Sequence, residues 1–302
     1  QQVQDEHSHV AVMNTNGGDL DYYFVAAWDQ EHNGIKSLTE FQTYLDREIE
    51  RLTFTPRKRL HFTALKNHAN TITAEQALNW SKNLADSELA RKTLNYYHGG
   101  WDANRKRPPK FEYDIIGMQI HALQELNKIQ SAQRYTDALT TVTGSYVNEI
   151  GEIATFDPKL FSIDAIKPGQ MLIELEQQTG QLKYRKAVDY LRQQLKIHPR
   201  TREGAFWHRA TYPHQLWLDG VYMGMPFLAQ YAALYETGAA QQESFHEVAQ
   251  EFLLARKYLR NSATGLYYHA WDESKQAIWA DKTRGTSPHY WSRAMGWYAM
   301  AL

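Results

Sequence analysis

From His208 to Phe227 the chain reads His-Arg-Ala-Thr-Tyr-Pro-His-Gln-Leu-Trp-Leu-Asp-Gly-Val-Tyr-Met-Gly-Met-Pro-Phe, a run that crowds imidazoles, an indole, phenols and one carboxyl group together. In a helical core each buried polar tip requires a partner, so such a run is a costly way to fill space. Sugar sites do need it, with rings to stack on and polar tips to hydrogen-bond hydroxyls. Asp219 is the strongest candidate for chemistry. An Asp before Gly at a helix start is ordinarily an N-cap. Here Trp217, His214 and His208 precede it and Tyr222 and Met223 follow. An aromatic wall excludes water and favours the protonated carboxyl that a general acid near neutral pH requires. Capping and acid catalysis can coexist, and both readings stay open.

Asp164, in Ser162-Ile163-Asp164-Ala165-Ile166-Lys167-Pro168-Gly169, stands in a similar context just ahead of a helix. The cap reading again applies. Two carboxylates at equivalent helix starts would both point at one end of a bundle, which is the ordinary equipment of glycoside chemistry. Near the end of the chain, Trp291, Arg293 and Trp297 are either core and surface residues or a carboxylate clamp, with Arg293 flanked by two indoles. His269 lies in the polar aromatic loop Gly265-Leu266-Tyr267-Tyr268-His269-Ala270-Trp271-Asp272, where a histidine is more often structural than catalytic.

Other chemistries lack their motifs. His208 and His214 do not have helical ligand spacing, and neither His-Glu-x-x-His nor a calcium loop occurs, so no metal is expected. No Gly-x-Ser-x-Gly and no glycine-rich phosphate loop is present, which argues against serine-hydrolase and nucleotide chemistry and leaves no cofactor to expect. With 33 basic against 34 acidic residues no field favours nucleic acid, and no apolar run approaches a membrane span. The basic run Asn104-Arg105-Lys106-Arg107-Pro108-Pro109-Lys110 reads as a solvated loop that could attract a polyanionic glycan. With no cysteine there is no disulfide, no thiolate ligand and no Cys nucleophile, and the compartment stays open.

The elements that must position these residues are mainly helical. Residues 1 to about 70 read as mixed α and β: strands over His9–Met13 and Tyr22–Ala27 around an Asn-Gly-Gly-Asp turn, then a helix from about Ser37 to Leu52 with a Ser37/Glu40 capping box. A boundary falls near 60 to 72, and almost every segment from Thr73 onward reads as helix. The helices repeat as hairpins, with Tyr135 and Tyr184 in matching places about fifty residues apart. Pro168 and Gly180 punctuate one unit. A further unit pairs Val221–Tyr235 with Phe245–Leu259, whose apolar positions are Phe245, Val248, Phe252, Leu253 and Leu259. Each hairpin must bury its apolar face against neighbours, so a closed ring is expected, with an open superhelix as the other reading.

Several segments together resemble the unsaturated rhamnogalacturonyl or glucuronyl hydrolase family: His198-Pro199-Arg200-Thr201 through Phe206-Trp207-His208, Trp217 to Met223, Pro226-Phe227-Leu228-Ala229, and Trp291 to Met300. The resemblance runs from about Thr73 to Leu302 and implies an all-α fold, an (α/α)6 barrel of six helical hairpins. It implies hydration of the enol ether in a 4,5-unsaturated uronic acid at the non-reducing end of an oligosaccharide, with an inverting glycosidase or sugar epimerase on the same barrel, or a non-catalytic glycan-binding module, as the other readings, and a cytoplasmic or periplasmic setting in a polysaccharide-degrading bacterium. Residue by residue, Asp219 would protonate C4 and activate the water that adds at C5, while Asp164 would hold hydroxyls and tune Asp219. His208 and His269 would bind the ring, Trp217 and Trp291 would shape its platform, Arg293 would pair with the uronate, and Trp297 is a further substrate-binding position. Arg209 stands where relatives often carry Lys, a change that bears on recognition because the two cations are not interchangeable. Six hairpins need roughly 300 residues, so 73–302 reads as an incomplete barrel, and 1–70 as the tail of a preceding domain.

Overall fold

A computed structural model describes residues 73–90 and 110–302. The strands and helix expected before residue 70, and most of the basic run from Asn104, lie outside the described residues. The chain divides into two compact units, one of residues 1–84 with 262–266 and one of 85–261 with 267–302. Helix α1 (Ala74–Ala90) opens the described part, and all the later elements belong to the second unit.

Three helical hairpins follow α1 in chain order. The first pairs α2 (His121–Ile129), entered through a π-helical turn at Ile115–Ile120, with α3 (Gln133–Ala138). The second pairs α4 (Gly169–Thr179) with α5 (Leu182–Lys196), and the third α6 (Leu218–Tyr235) with α7 (Gly238–Leu259). A further helix, α8 (Ser292–Ala301), packs beside α6. Helix α4 touches both the turn before α2 and α6, so α2, α4, α6 and α8 make an inner layer with α3, α5 and α7 returning behind them. The matched tyrosines hold matched positions: Tyr135 and Tyr184 are both buried at the starts of α3 and α5. Gly180 ends α4 in the left-handed conformation that a side chain would resist, as its place in the sequence predicts.

The core confirms one apolar face and corrects another. Helix α6 is buried nearly all round, from Leu218 through Ala232, as befits an inner element between neighbours. On α7 the expected stripe is misplaced. Phe245 and Leu253 are exposed, and the buried face is Ser244, Glu251, Leu254, Ala255 and Leu259. Polar groups occupy this face because they have partners. Arg192 donates to Ser244 Oγ at 2.9 Å and to Glu236 at 3.2 Å, and Ser244 donates in turn to Glu236. Glu251 accepts the Phe206 N–H at 3.1 Å.

The expectation that nearly everything after Thr73 is helical also needs correction. The connections 147–168, 197–217 and 260–291 are long and mostly extended or turned. Two of them pair as the short antiparallel strands β1 (Gln215–Trp217) and β2 (Ala270–Asp272), with Trp217 opposite Ala270. Main-chain hydrogen bonds stitch further segments to this pair: Ile163 N–H to His208 O, His208 N–H to Gln215 O, Leu218 N–H to His269 O, and His269 N–H to His289 O. This ladder crosses the ends of the inner helices and converts distant sequence positions into neighbours.

Candidate active site

Asp219 lies in the first turn of α6, but it does not cap it. The N-cap is Trp217, and no side chain caps there. The Asp219 carboxylate is turned toward an imidazole and a guanidinium instead: Oδ2 stands 2.9 Å from His269 Nε2 and Oδ1 3.6 Å from Arg293 Nη2. The main-chain bond from Leu218 to His269 sets this approach, because it fixes the backbone one residue before the acid against the backbone of the histidine. Asp164, in the 3₁₀ turn Ile163–Ala165 ahead of α4, likewise makes no cap. Its Oδ2 stands 3.4 Å from His208 Nε2 and accepts a hydrogen bond from Arg209 Nη2 at 3.1 Å. Each candidate acid thus holds one histidine and one arginine.

Two glycines allow the elements carrying the acids to meet. A Cβ at Gly224 would lie 2.7 Å from Ile163 Cδ1, and one at Gly220 would lie 3.3 Å from His208 Nδ1. One face of α6 is bare here, so the turn bearing Asp164 packs directly on the helix bearing Asp219. Burial of Asp164 opposes its ionisation, but the charges and hydrogen bonds of His208 and Arg209 outweigh it and hold its carboxyl below the ordinary carboxylate range. The Tyr113 phenol lies among the same groups. Its pKa is raised first by burial and then by the charge of Asp164, with Asp114 and Asp219 adding to the effect and Arg293 opposing it.

The aromatic residues divide into two sets. His208 and Trp217 stack at 4.4 Å with planes 4° apart, Tyr212 lies nearly parallel to Trp217 at 5.0 Å, and Trp217 meets His269 edge-on. Trp217 is therefore engaged by three rings rather than open as a platform, and its indole N–H donates to Gln215. On the other side Trp291 meets His269 edge-on, and the Arg293 guanidinium lies 3.7 Å over Trp291. Trp297 does not flank Arg293 as the sequence implied. It stacks on Tyr222 at 5.0 Å and meets Tyr113 edge-on. Among site residues His208 Nδ1, Arg209 Nε, Asp219 Oδ2 and His269 Nε2 are buried without a protein hydrogen-bond partner. Unmet buried polar atoms cost about 1–3 kcal/mol each, a cost that hydroxyls of a ligand relieve.

The N-termini of α6 and α8 carry Asp219 and Arg293, and their partial positive charge, with the guanidinium groups of Arg209 and Arg293, suits an anionic ligand. Among the described residues no group of three or more His, Cys, Asp or Glu could hold a metal ion. Residues 80–302 match Glycosyl Hydrolase Family 88. The chain belongs to that family.

Family 88 membership and the helical hairpins agree with solved structures. A glycoside hydrolase of family 105 from Clostridium acetobutylicum is 37% identical, with a TM-score of 0.66 over 74% of this chain and 57% of that one. A possible family 105 member from Klebsiella pneumoniae, 18% identical with a TM-score of 0.58, covers 82% of this chain and 63% of its own and shows the shared fold alone. The fold is the (α/α)6 barrel type expected from the sequence. The unsaturated rhamnogalacturonyl hydrolase YesR of Bacillus subtilis is 29% identical over 192 residues, 62% of this chain and 51% of that protein. Protein Atu3128 of Agrobacterium fabrum is 41% identical over 80 residues, 26% of this chain and 32% of its own. The chain spans a third to a half of the length of these curated relatives. Residues 1–57 match a domain of unknown function, DUF4861.

All nine residues singled out in the family 88 sequence come together: Asp164, His208, Arg209, Trp217, Asp219, His269, Trp291 and Arg293 in the cluster itself, with Trp297 beside it through Tyr113 and Tyr222. Sequence reading missed Tyr113 and Tyr212. Tyr113 precedes the first helical hairpin with no motif around it, whereas Tyr212 was visible inside the polar aromatic run.

Proposed function

We propose that this protein removes a 4,5-unsaturated uronic acid from the non-reducing end of oligosaccharides by hydrating its enol ether double bond. The observation that carries this reading is the Asp219 carboxyl group held 2.9 Å from His269 Nε2, with Arg293 beside it and a second, separately paired acid nearby. In the proposed reaction Asp219 gives its proton to C4. Water adds its oxygen to the C5 cation that results and returns its proton to Asp219. The product is a hemiketal, which opens and releases the next sugar. His269 is placed to exchange the proton with Asp219, and Arg293 to meet the uronate carboxylate. Asp164, kept ionised by His208 and Arg209, holds sugar hydroxyls and tunes the site rather than attacking carbon. The similarity to a protein named unsaturated rhamnogalacturonyl hydrolase supports the substrate class. We further read residues 1–70 as a domain distinct from the barrel, a division supported by the separate match of residues 1–57.

The test is the ultraviolet absorbance of the conjugated enol ether, followed in time with an unsaturated uronyl disaccharide. Loss of the band with the protein and its persistence with Asp219→Asn is the expected result. Consumption of a saturated uronyl disaccharide in its place would assign an ordinary glycosidase reaction and overturn hydration.

A further inference from the structure

His208, Trp217 and Tyr212 form one cluster of nearly parallel rings, with Tyr212 as its exposed member. His208 is buried and Trp217 half-buried, whereas Tyr212 is 38% exposed while lying nearly parallel to both, 5.0 Å from Trp217 and 6.4 Å from His208. Its ring is fixed. The Tyr212 N–H donates to Arg209 O at 2.9 Å, Ala210 N–H to Leu160 O at 2.8 Å, and Glu273 N–H to His214 O at 3.0 Å. Pro213 stiffens the same turn. A rigid, partly exposed aromatic face keeps its ordering cost out of any binding step. Among the described residues the Tyr212 hydroxyl makes no hydrogen bond, so the polar tip as well as the face is open to a ligand.

We propose that Tyr212 is the platform for the sugar on the leaving-group side of the cleaved bond, and so a specificity-determining residue for the oligosaccharide this protein accepts. This rests on the hydration reading above. The unsaturated ring must sit at Asp219, beside His269. Trp217 touches His269 by its edge and Tyr212 by its stack, so the exposed Tyr212 ring lies one aromatic residue away from the histidine of the acid, on the scale of the next sugar. The ligand class is a pyranoside that lays its C–H face flat on the phenol ring and offers a hydroxyl to the phenolic oxygen. Tyr212 touches no reacting atom in this scheme.

The experiment compares the protein with Tyr212→Ala and Tyr212→Phe on two substrates, an unsaturated uronyl disaccharide and the methyl glycoside of the same unsaturated uronate. Tyr212→Ala is expected to lower kcat/KM for the disaccharide about tenfold, through KM, and to leave the methyl glycoside within about twofold. Tyr212→Phe, which keeps the ring, is expected to stay within about threefold on both. The methyl glycoside also reports that the variant site is intact. An equal loss on both substrates would show that Tyr212 only props Trp217, and no loss on either would show that no sugar rests there; each overturns the proposal. If the unaltered protein consumes neither substrate, the hydration reading itself fails and this inference falls with it.

Discussion

His269 Nε2 lies 2.9 Å from Asp219 Oδ2, inside ion-pair range, yet neither atom has an aligned hydrogen bond in the protein. The pair is close without being consumed by its own geometry. An acid that must both give and recover a proton needs this arrangement, because a fully satisfied carboxylate would have to break a bond before meeting substrate. The same histidine is flanked edge-on by Trp217 and Trp291, which fix its ring plane.

Replacing Asp219 by Asn keeps the shape of the side chain and removes its proton chemistry. The expected loss in kcat is on the order of a hundredfold to ten-thousandfold. Steady-state rates on an unsaturated uronyl disaccharide check it, and near-normal turnover in the variant would remove Asp219 from the reaction.

Arg209 helps to hold the Asp164 carboxyl below the ordinary range. Arg209→Met removes that contribution, so the carboxyl pKa rises. If activity requires ionised Asp164, the acidic limb of the pH–rate profile moves to higher pH in the variant. A profile whose acidic limb coincides with that of the unaltered protein would mean that the charge of Asp164 does not matter to the rate.

Gly224→Ala places a methyl group 2.7 Å from Ile163 Cδ1. Ile163 immediately precedes Asp164, so relief of the clash moves the turn that carries the second acid. Overpacking of this kind costs about 1–3 kcal/mol. A lower melting temperature together with reduced kcat/KM is expected. A variant with unchanged melting temperature would show that the turn yields freely.

Two further buried groups tie stability to pH with opposite signs. Burial pushes Glu251 up to about 8 from 4.5. Between those values the unfolded chain is ionised and the native one is not, so stability is full below pH 4.5 and declines as pH rises toward 8. Burial pushes Lys167 down to about 7 from 10.5, where its ammonium sits 4.0 Å over Tyr222 and faces His121 and Gln170. In that window the unfolded chain holds the extra proton, so stability rises with pH from 7 to 10.5. Denaturant titrations of Glu251→Gln should lose the first slope and those of Lys167→Met the second, each worth on the order of a few kcal/mol over its window. Parallel curves for variant and unaltered protein would show that the group is solvated in the native state.

Much of the candidate site was legible because its residues are adjacent in sequence. Trp217, Asp219 and Tyr222 announce one another, and the hairpin period placed Tyr135 and Tyr184 in equivalent positions. Side-chain periodicity did less well on α7, where Ser244 and Glu251 occupy the buried face through partners on α5 and near Phe206 that no local pattern records.

The sequence by itself determined the helical hairpins, the ends of α4 and the cast of polar aromatic residues, since each follows from spacing, turn chemistry and composition within a few residues. Only the tertiary structure decided who pairs with whom. Asp219 and Asp164 read equally well as helix caps. They are not caps, because Leu218 bonded to His269 and Ile163 bonded to His208 bring a histidine to each acid, with Arg293 and Arg209 completing the pairs. Those bonds join segments about fifty residues apart, and a hydrogen bond between distant backbones leaves no periodic trace in the sequence that makes it.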